Sequence, residues 1–392
     1  MEPTKPSFTS QASPIQLDFQ AATPCALEVL EAMEPYWKDI WGNPSSRQNR
    51  LGLQASAAVE LARENLLSCF RLNSYELVFT SGATESNNLA LLGYARSKAT
   101  ELGRPGHLIT VATEHHAVLD PLRQLQNEGF RLTELIPDSN GLISSDSLLN
   151  ALQEDTILMS VMLANNEIGV IQPIQKLASI CKDRGIRLHT DATQAIGYLP
   201  VEFNALGADL ISISGHKIYG PKGIGALIFR SDISLMPLQW GGGQERSLRP
   251  GTIPVPLVVG FSKAGEIAFR DVWQTYDKLL ALRELFLEGL QNNISGLVLN
   301  GSLKERLPHN INITISGVNG NRLHSNLRPF IACSSGSACS NGEPSHVLLA
   351  IGLSKTQASA SLRLSLGKGT TKSDINSAIK SLEIVVNRLR SG

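Results

Sequence analysis

No stretch of this 392-residue chain is apolar for long enough to span a bilayer. Neither sign of charge predominates either, with 35 Lys and Arg against 35 Asp and Glu. The first absence excludes a bundle of membrane helices. The second removes the electrostatic case for nucleic acid or an anionic membrane surface as a partner. Residues 1–15 are rich in Ser, Thr and Pro and hold no apolar centre, so they do not read as a secretory signal, and a cytoplasmic protein is expected. Cysteine is scarce: Cys25, Cys69, Cys181, Cys333 and Cys339 are scattered, and none forms a C-x-x-C pair. Neither a zinc site nor a disulfide framework is indicated, and no metal is expected. The open question is whether one of the five is reactive. Internal repeats and low-complexity tracts are also absent.

What is present is a globular composition, 42% hydrophobic and 18% charged, in a chain too long for one ordinary core. Short apolar runs alternate with helical periodicity through the first 260 residues. Strands are predicted over 15–19, 76–80, 107–111, 131–136, 156–163, 187–190, 210–214 and 226–229. Helices are predicted from Thr23-Pro24, a cap followed by proline, to about Tyr36, and over 55–67, 117–126 and 174–184. This rhythm argues an α/β fold with a mostly parallel sheet flanked by helices. Beyond it, a long helix over 264–290 leads into a strand at 310–315, a Ser/Gly-rich segment at 334–342, a helix from His346, a strand at 361–366 and a terminal helix to Arg390. Two domains are expected, a large one over 16–262 and a smaller α/β one over 263–392, with residues 1–15 a candidate to pack on the latter.

Ligands of parallel sheets sit beyond the carboxyl ends of the strands, and the polar residues that stand out fall there. Lys217 follows the strand ending at Ser214, hemmed in by glycines at 215, 220, 223 and 225. A poorly hydrated amine in such a turn suits condensation with a carbonyl, and Ser214 and His216 beside it suit a phosphate. The plain alternative is a surface turn with a solvated lysine. Ser81-Gly82-Ala83-Thr84-Glu85-Ser86 joins a strand to a helix, which is either an anion cup or an ordinary capped helix. Asp191 ends a strand and either pairs with a ring nitrogen, with Gln194 donating nearby to a ring oxygen, or caps a helix. His115 in Thr113-Glu114-His115-His116 either stacks on an aromatic cofactor or is a solvated loop histidine; the doublet leaves the choice open. Asn166 is either a donor to a cofactor oxygen or a turn residue. In Ser361-Leu362-Arg363-Leu364-Ser365-Leu366 strict alternation turns Arg363 away from the small core, toward a carboxylate ligand or a plain salt bridge. Cys339 lies among small polar residues where a thiol can ionise and move. Cys333 has apolar neighbours and reads as inert. Cys25, Cys69 and Cys181 read as helix residues used in packing.

Taken together, these stretches resemble the cysteine desulfurases, pyridoxal-phosphate enzymes of the aminotransferase class V kind (NifS/IscS-like, fold type I). The resemblance covers nearly the whole chain. It rests on Leu17-Asp18, Thr23-Pro24, Gly42 to Ser46, Ser81 to Ser86, Thr113 to His115, Asn165 to Gly169, Asp191 to Gln194, Ser214 to Gly225, Arg249 to Pro254 and Ser334 to Cys339. It implies pyridoxal 5'-phosphate joined to Lys217, which later moves protons. It further implies that Ala83, Thr84, Ser214 and His216 hold the phosphate, that Asp191 meets the pyridine nitrogen, and that Gln194 and Asn166 meet the ring oxygen. His115 would stack on the ring and act in proton transfer. Thr252 would reach the phosphate of a neighbouring subunit, which implies a homodimer. With the L-cysteine carboxylate on Arg363, the Cys339 thiolate would take the sulfur as a persulfide and release alanine, a sulfurtransferase reaction feeding an iron–sulfur scaffold or another acceptor protein.

Two features depart from the family pattern. Four residues separate Cys339 from Pro344, fewer than the housekeeping and nitrogen-fixation branch carries, and the chain stops at Gly392 without the extension that engages a scaffold in some relatives. Desulfuration is expected to survive both departures better than scaffold docking. A selenocysteine lyase, a cystine C–S lyase and a non-catalytic sulfur-assembly partner are the competing readings.

Overall fold

The computed structural model describes residues 13–335 and 344–391. Its strands, in chain order, are β1 (Ile15–Gln16), β2 (Tyr75–Thr80), β3 (His107–Val111), β4 (Arg131–Leu135), β5 (Thr156–Ser160), β6 (Arg187–Asp191), β7 (Leu210–Ser214), β8 (Gly225–Arg230), β9 (Leu297–Leu299), β10 (Asn310–Ile315), β11 (Ile331–Ala332) and β12 (Ser361–Ser365). Seven of them form the main sheet in the order β2-β8-β7-β6-β5-β3-β4. β8 runs antiparallel to both of its neighbours, and the other adjacent pairs are parallel. Strands β3, β5 and β7 are buried along their whole length, as continuous apolar runs covered by helices on both faces require. The carboxyl ends of β2, β3, β6 and β7 therefore open on one edge, where the chain turns into Ser81, Thr113, Ala192 and Gly215.

The second layer is a three-stranded antiparallel sheet in the order β12-β10-β9. Helices Val272–Asn293 and Lys372–Ser391 close over it through Leu279, Phe286, Leu382 and Val386. The long helix expected over 264–290 is two helices, Val255–Arg270 and Val272–Asn293, broken at Asp271. The physical reason is the partner of each half. Phe261, Ala264 and Ala268 bury their side chains in the core of the main sheet, whereas Leu279, Phe286 and Leu290 bury theirs against the small sheet.

Between the layers runs a strap formed by residues 15–23. β1 pairs in parallel with β11, and Leu17 bridges Ala332 and Ser365 through its N–H and its carbonyl. The Thr23-Pro24 pair does not start a helix. The helix begins at Leu27, behind Ala26, so Cys25 precedes it, and a second short helix, Pro35–Lys38, follows the first. The Thr23 hydroxyl is spent elsewhere, donating to the His216 carbonyl at 2.9 Å and accepting the Tyr219 N–H at 2.8 Å.

Candidate active site

The turn after β7 is shaped by what it must pack against. A Cβ on Gly215 would lie 2.9 Å from the Pro221 carbonyl oxygen, so only glycine lets the chain double back there. Tyr219 then takes φ 63°, a left-handed conformation costly for a bulky residue. Its backbone is held by Thr23 from the strap. The turn delivers Lys217 into a cavity of about 540 Å³ at the sheet edge, where Nζ donates to the carbonyls of Gln20 and Ala21, the latter at 2.8 Å. The solvated surface turn left open by the sequence is thus not what forms.

On one side of the lysine lies the β2 turn. A Cβ on Gly225, the first residue of β8, would sit 2.7 Å from Gly82 Cα. Two bare backbones meet, and Gly82 is left at φ 152°. Helix Ala83–Asn88 starts there and continues through a wider π turn into Tyr94–Leu102. Ala83, Thr84 and His216 all line the cavity, and Ser214 stands behind them with its hydroxyl 2.9 Å from His216 Nδ1. Burial drives the His216 imidazole down to about 4, and the charges of Lys217 and Lys222 push the same way.

Asp191, at the end of β6, is buried and accepts twice: Oδ2 from the Asn87 amide at 2.8 Å, Oδ1 from the Thr193 N–H at 2.9 Å. Gln194 lines the same wall, with Nε2 3.2 Å from the Gln20 carbonyl. His115 resolves the doublet: it lines the cavity, whereas the His116 side chain is 41% exposed and lies 3.4 Å from Asp120. Nδ1 of His115 accepts the Ala117 N–H at 3.0 Å, so the neutral ring carries its proton on Nε2. Burial holds this imidazole below the ordinary histidine range, with Asp191 opposing the shift and Lys217 adding to it. The neighbouring Glu114 is fully buried, and that burial holds its carboxyl well above the usual carboxylate range despite the Met162 N–H that it accepts at 2.7 Å.

The opposite wall comes from the small sheet. Arg363, on β12, is buried and lines the cavity, with Nη1 donating to the Asn166 carbonyl at 2.9 Å and Nη2 to Asp18 at 2.8 Å. Asn166 lines the cavity too, and its Oδ1 is buried with no partner among the described residues. Lys217, Asp191, His115, Gln194, Asn166, Arg363, Ala83, Thr84 and His216 thus meet in one space. Thr252 does not: it is exposed and stands outside the cavity of its own chain. Cys339 lies outside the described residues. The four described cysteines are held as thiols by burial, Cys181 and Cys333 being pushed up to about 12.

Four contributors went unrecognised in the sequence. Asn87 follows Thr84 by three residues on one helix, so spacing alone would have placed it on the cavity face. Lys222 also borders the space. Gln20 and Ala21 act through main-chain carbonyls, which no side-chain pattern signals.

Known proteins resemble this chain over nearly its whole length. Residues 15–377 match the family described as Aminotransferase class-V. The cysteine desulfurase IscS of Vibrio campbellii is 45% identical over 383 residues, which cover 96% of this chain and 94% of that one. Among solved structures, a NifS-like protein superposes with a TM-score of 0.89 at 34% identity, over 96% of this chain and 100% of that one. SspA in complex with cysteine gives 0.78 at 36% identity, over 91% and 99%. Agreement of this extent, with the lysine turn, the strand-end carboxylate and the small sheet all inside the matched span, makes the chain a member of the class-V aminotransferase family.

Proposed function

We propose that this chain is a pyridoxal 5'-phosphate-dependent L-cysteine desulfurase that yields L-alanine and carries the sulfur as a persulfide on Cys339. The observation that carries this reading is the meeting of Lys217, Asp191 and His115 at one sheet edge with Arg363 across the same cavity. The residues present fit the cofactor. A primary amine, a buried carboxylate with a lone pair to spare on each oxygen, an unpartnered amide oxygen on Asn166 and a hydroxyl-bearing turn at a helix start match an aldehyde, a pyridine nitrogen, a ring hydroxyl and a phosphate. Ala83, Thr84 and His216, backed by Ser214, would hold the phosphate. Asp191 would keep a proton at the ring nitrogen, and Gln194 and Asn166 would meet the ring oxygen. When bound, pyridoxal phosphate supplies an electron sink for the charge left when the amino acid loses its α-proton.

The chain's own groups supply the rest. Arg363 grips the substrate carboxylate and sets which Cα bond faces Lys217, whose amine takes and returns the α-proton. His115, neutral and with its proton on Nε2, is arranged to offer that N–H as a hydrogen-bond donor beside the reacting atoms. Cys339 forms an S–S bond as the substrate's Cβ–S bond breaks, and a proton on the carbon left behind completes alanine. Thr252, exposed on its own chain, is assigned to the phosphate of a second subunit, so the working unit is a homodimer. An iron–sulfur scaffold or a comparable acceptor is the destination of the sulfur, and the cytoplasm is the setting. No helix among the described residues is long and apolar enough to cross a membrane.

The test is incubation of the holoenzyme with L-cysteine, followed by alanine analysis and mass spectrometry of Cys339. Alanine together with a persulfide on that residue, both lost in Cys339→Ser, is the expected result. Alanine undiminished in Cys339→Ser would remove the nucleophile role of that residue, pyruvate in place of alanine would make this a C–S lyase, and neither product from the intact holoenzyme would leave a non-catalytic partner.

A further inference from the structure

The Arg363 guanidinium is not left whole for a ligand. Nη2 is ion-paired with Asp18 at 2.8 Å, Nη1 is held by the Asn166 carbonyl, and Nε is buried without a partner among the described residues. The Arg363 side chain is only 3% exposed, so the charge of Asp18 acts on it with little water between. Asp18 itself does not line the cavity, whereas Arg363 and Asn166 do. It reaches the guanidinium from outside the space a ligand would fill, and an incoming carboxylate has no need to displace it. Asp18 is also fixed independently of the arginine. It forms a parallel bridge with Ser365, Leu17 on one side is tied to Ala332 and Ser365, and Gln20 on the other donates its N–H to the Ser365 hydroxyl.

Resting on the reading of Arg363 given above, we infer that Asp18 is a positioning residue that tempers the carboxylate subsite. It aligns the guanidinium and cancels part of its charge, so that an α-amino acid is held by a shared cation. Substrate and product of the proposed reaction carry the same carboxylate. A full-strength arginine would hold L-alanine as firmly as L-cysteine and slow its departure. Asp18 sets that grip low and so favours turnover over retention.

The charge claim has a sign that a merely structural role does not share. Asp18→Asn keeps an oxygen on Nη2 but removes the charge, and Asp18→Ala removes both. Holoenzyme titrated with L-alanine, followed by the cofactor's absorbance, is expected to bind about tenfold tighter in Asp18→Asn and several-fold tighter in Asp18→Ala. Ethylamine, which is alanine without its carboxylate, is expected to bind all three proteins alike. With L-cysteine, Asp18→Asn is expected to lower both KM and kcat. Unchanged or weaker L-alanine binding in either variant overturns the inference, as does equal tightening toward ethylamine. Arg363→Lys separates the two assignments. If it weakens L-alanine binding while Asp18→Asn fails to tighten it, only the role of Asp18 falls. If it leaves L-alanine binding unchanged, the assignment of Arg363 falls and takes that of Asp18 with it.

Discussion

Asn87 donates its side-chain amide to Asp191 at 2.8 Å, joining the first helix after β2 to the carboxyl end of β6. The amide is fully buried, so the contact has no competition from water. Asn87→Ala leaves Oδ2 of Asp191 without its donor and the carboxylate freer to turn. A loss of about 1–2 kcal/mol in cofactor affinity is expected, roughly a tenfold rise in its dissociation constant. Absorbance during dialysis of the holoenzyme measures it, and retention equal to the parent's would remove Asn87 from the site.

Thr23 fastens the lysine turn by a hydroxyl that both donates and accepts. Thr23→Val keeps the shape and removes both bonds, leaving the Tyr219 N–H without its partner in a backbone already at φ 63°. Denaturant unfolding is expected to show a loss of about 1–3 kcal/mol, with Thr23→Ser recovering most of it.

Glu114 gives a stability signature that depends on pH. Its folded carboxyl titrates well above the usual range because it is buried, so the folded state keeps a proton that the unfolded state releases above about 4.5. Stability contributed below that pH is lost as pH rises toward the folded value. Glu114→Gln carries no such loss. Its stability relative to the parent is expected to grow between pH 5 and pH 8 in parallel denaturant titrations, and a constant difference would show that Glu114 is ionised in the fold.

Glu245 begins a run of three left-handed residues, Glu245, Arg246 and Ser247. Its carboxylate is buried against Arg63 at 2.8 Å and accepts the Phe79 N–H at 2.7 Å. Glu245→Ala leaves Arg63 with Glu60 and the Leu77 carbonyl but takes away its buried carboxylate and the acceptor of the Phe79 N–H. The expected cost is about 1.5–3 kcal/mol. Replacing Arg63 and Glu245 together with apolar residues is expected to recover much of that, as a double-mutant cycle would reveal.

The legible part of this molecule was whatever the chain states locally. The run from Leu210 to Ser214, followed by Gly215 and Lys217, carries its strand, its turn and its amine in eight residues. The same holds for β2 with its glycine turn and for β6 with Asp191. What escaped lies in contacts between distant segments. Thr23-Pro24 has a good helix-start signature, but the Tyr219 and His216 backbones compete for the hydroxyl and win. No glycine or proline marks the break at Asp271, and the two cores that the flanking halves serve explain it. Asp18 and Arg363 are 345 positions apart, and no periodicity in either stretch points to the other.

The strap has a consequence for how the polypeptide comes into being. Its residues are made before the main sheet, yet β1 needs Ile331 and Ala332, and Leu17 and Asp18 need Ser365, all made after it. The main sheet can collapse while synthesis continues, but the Gln20 and Ala21 carbonyls are steadied beside Lys217 only after β12 is made. A nascent chain should therefore assemble its main sheet before its chemistry, and a chain ending between Arg270 and β12 would carry the lysine turn without the strap that steadies it.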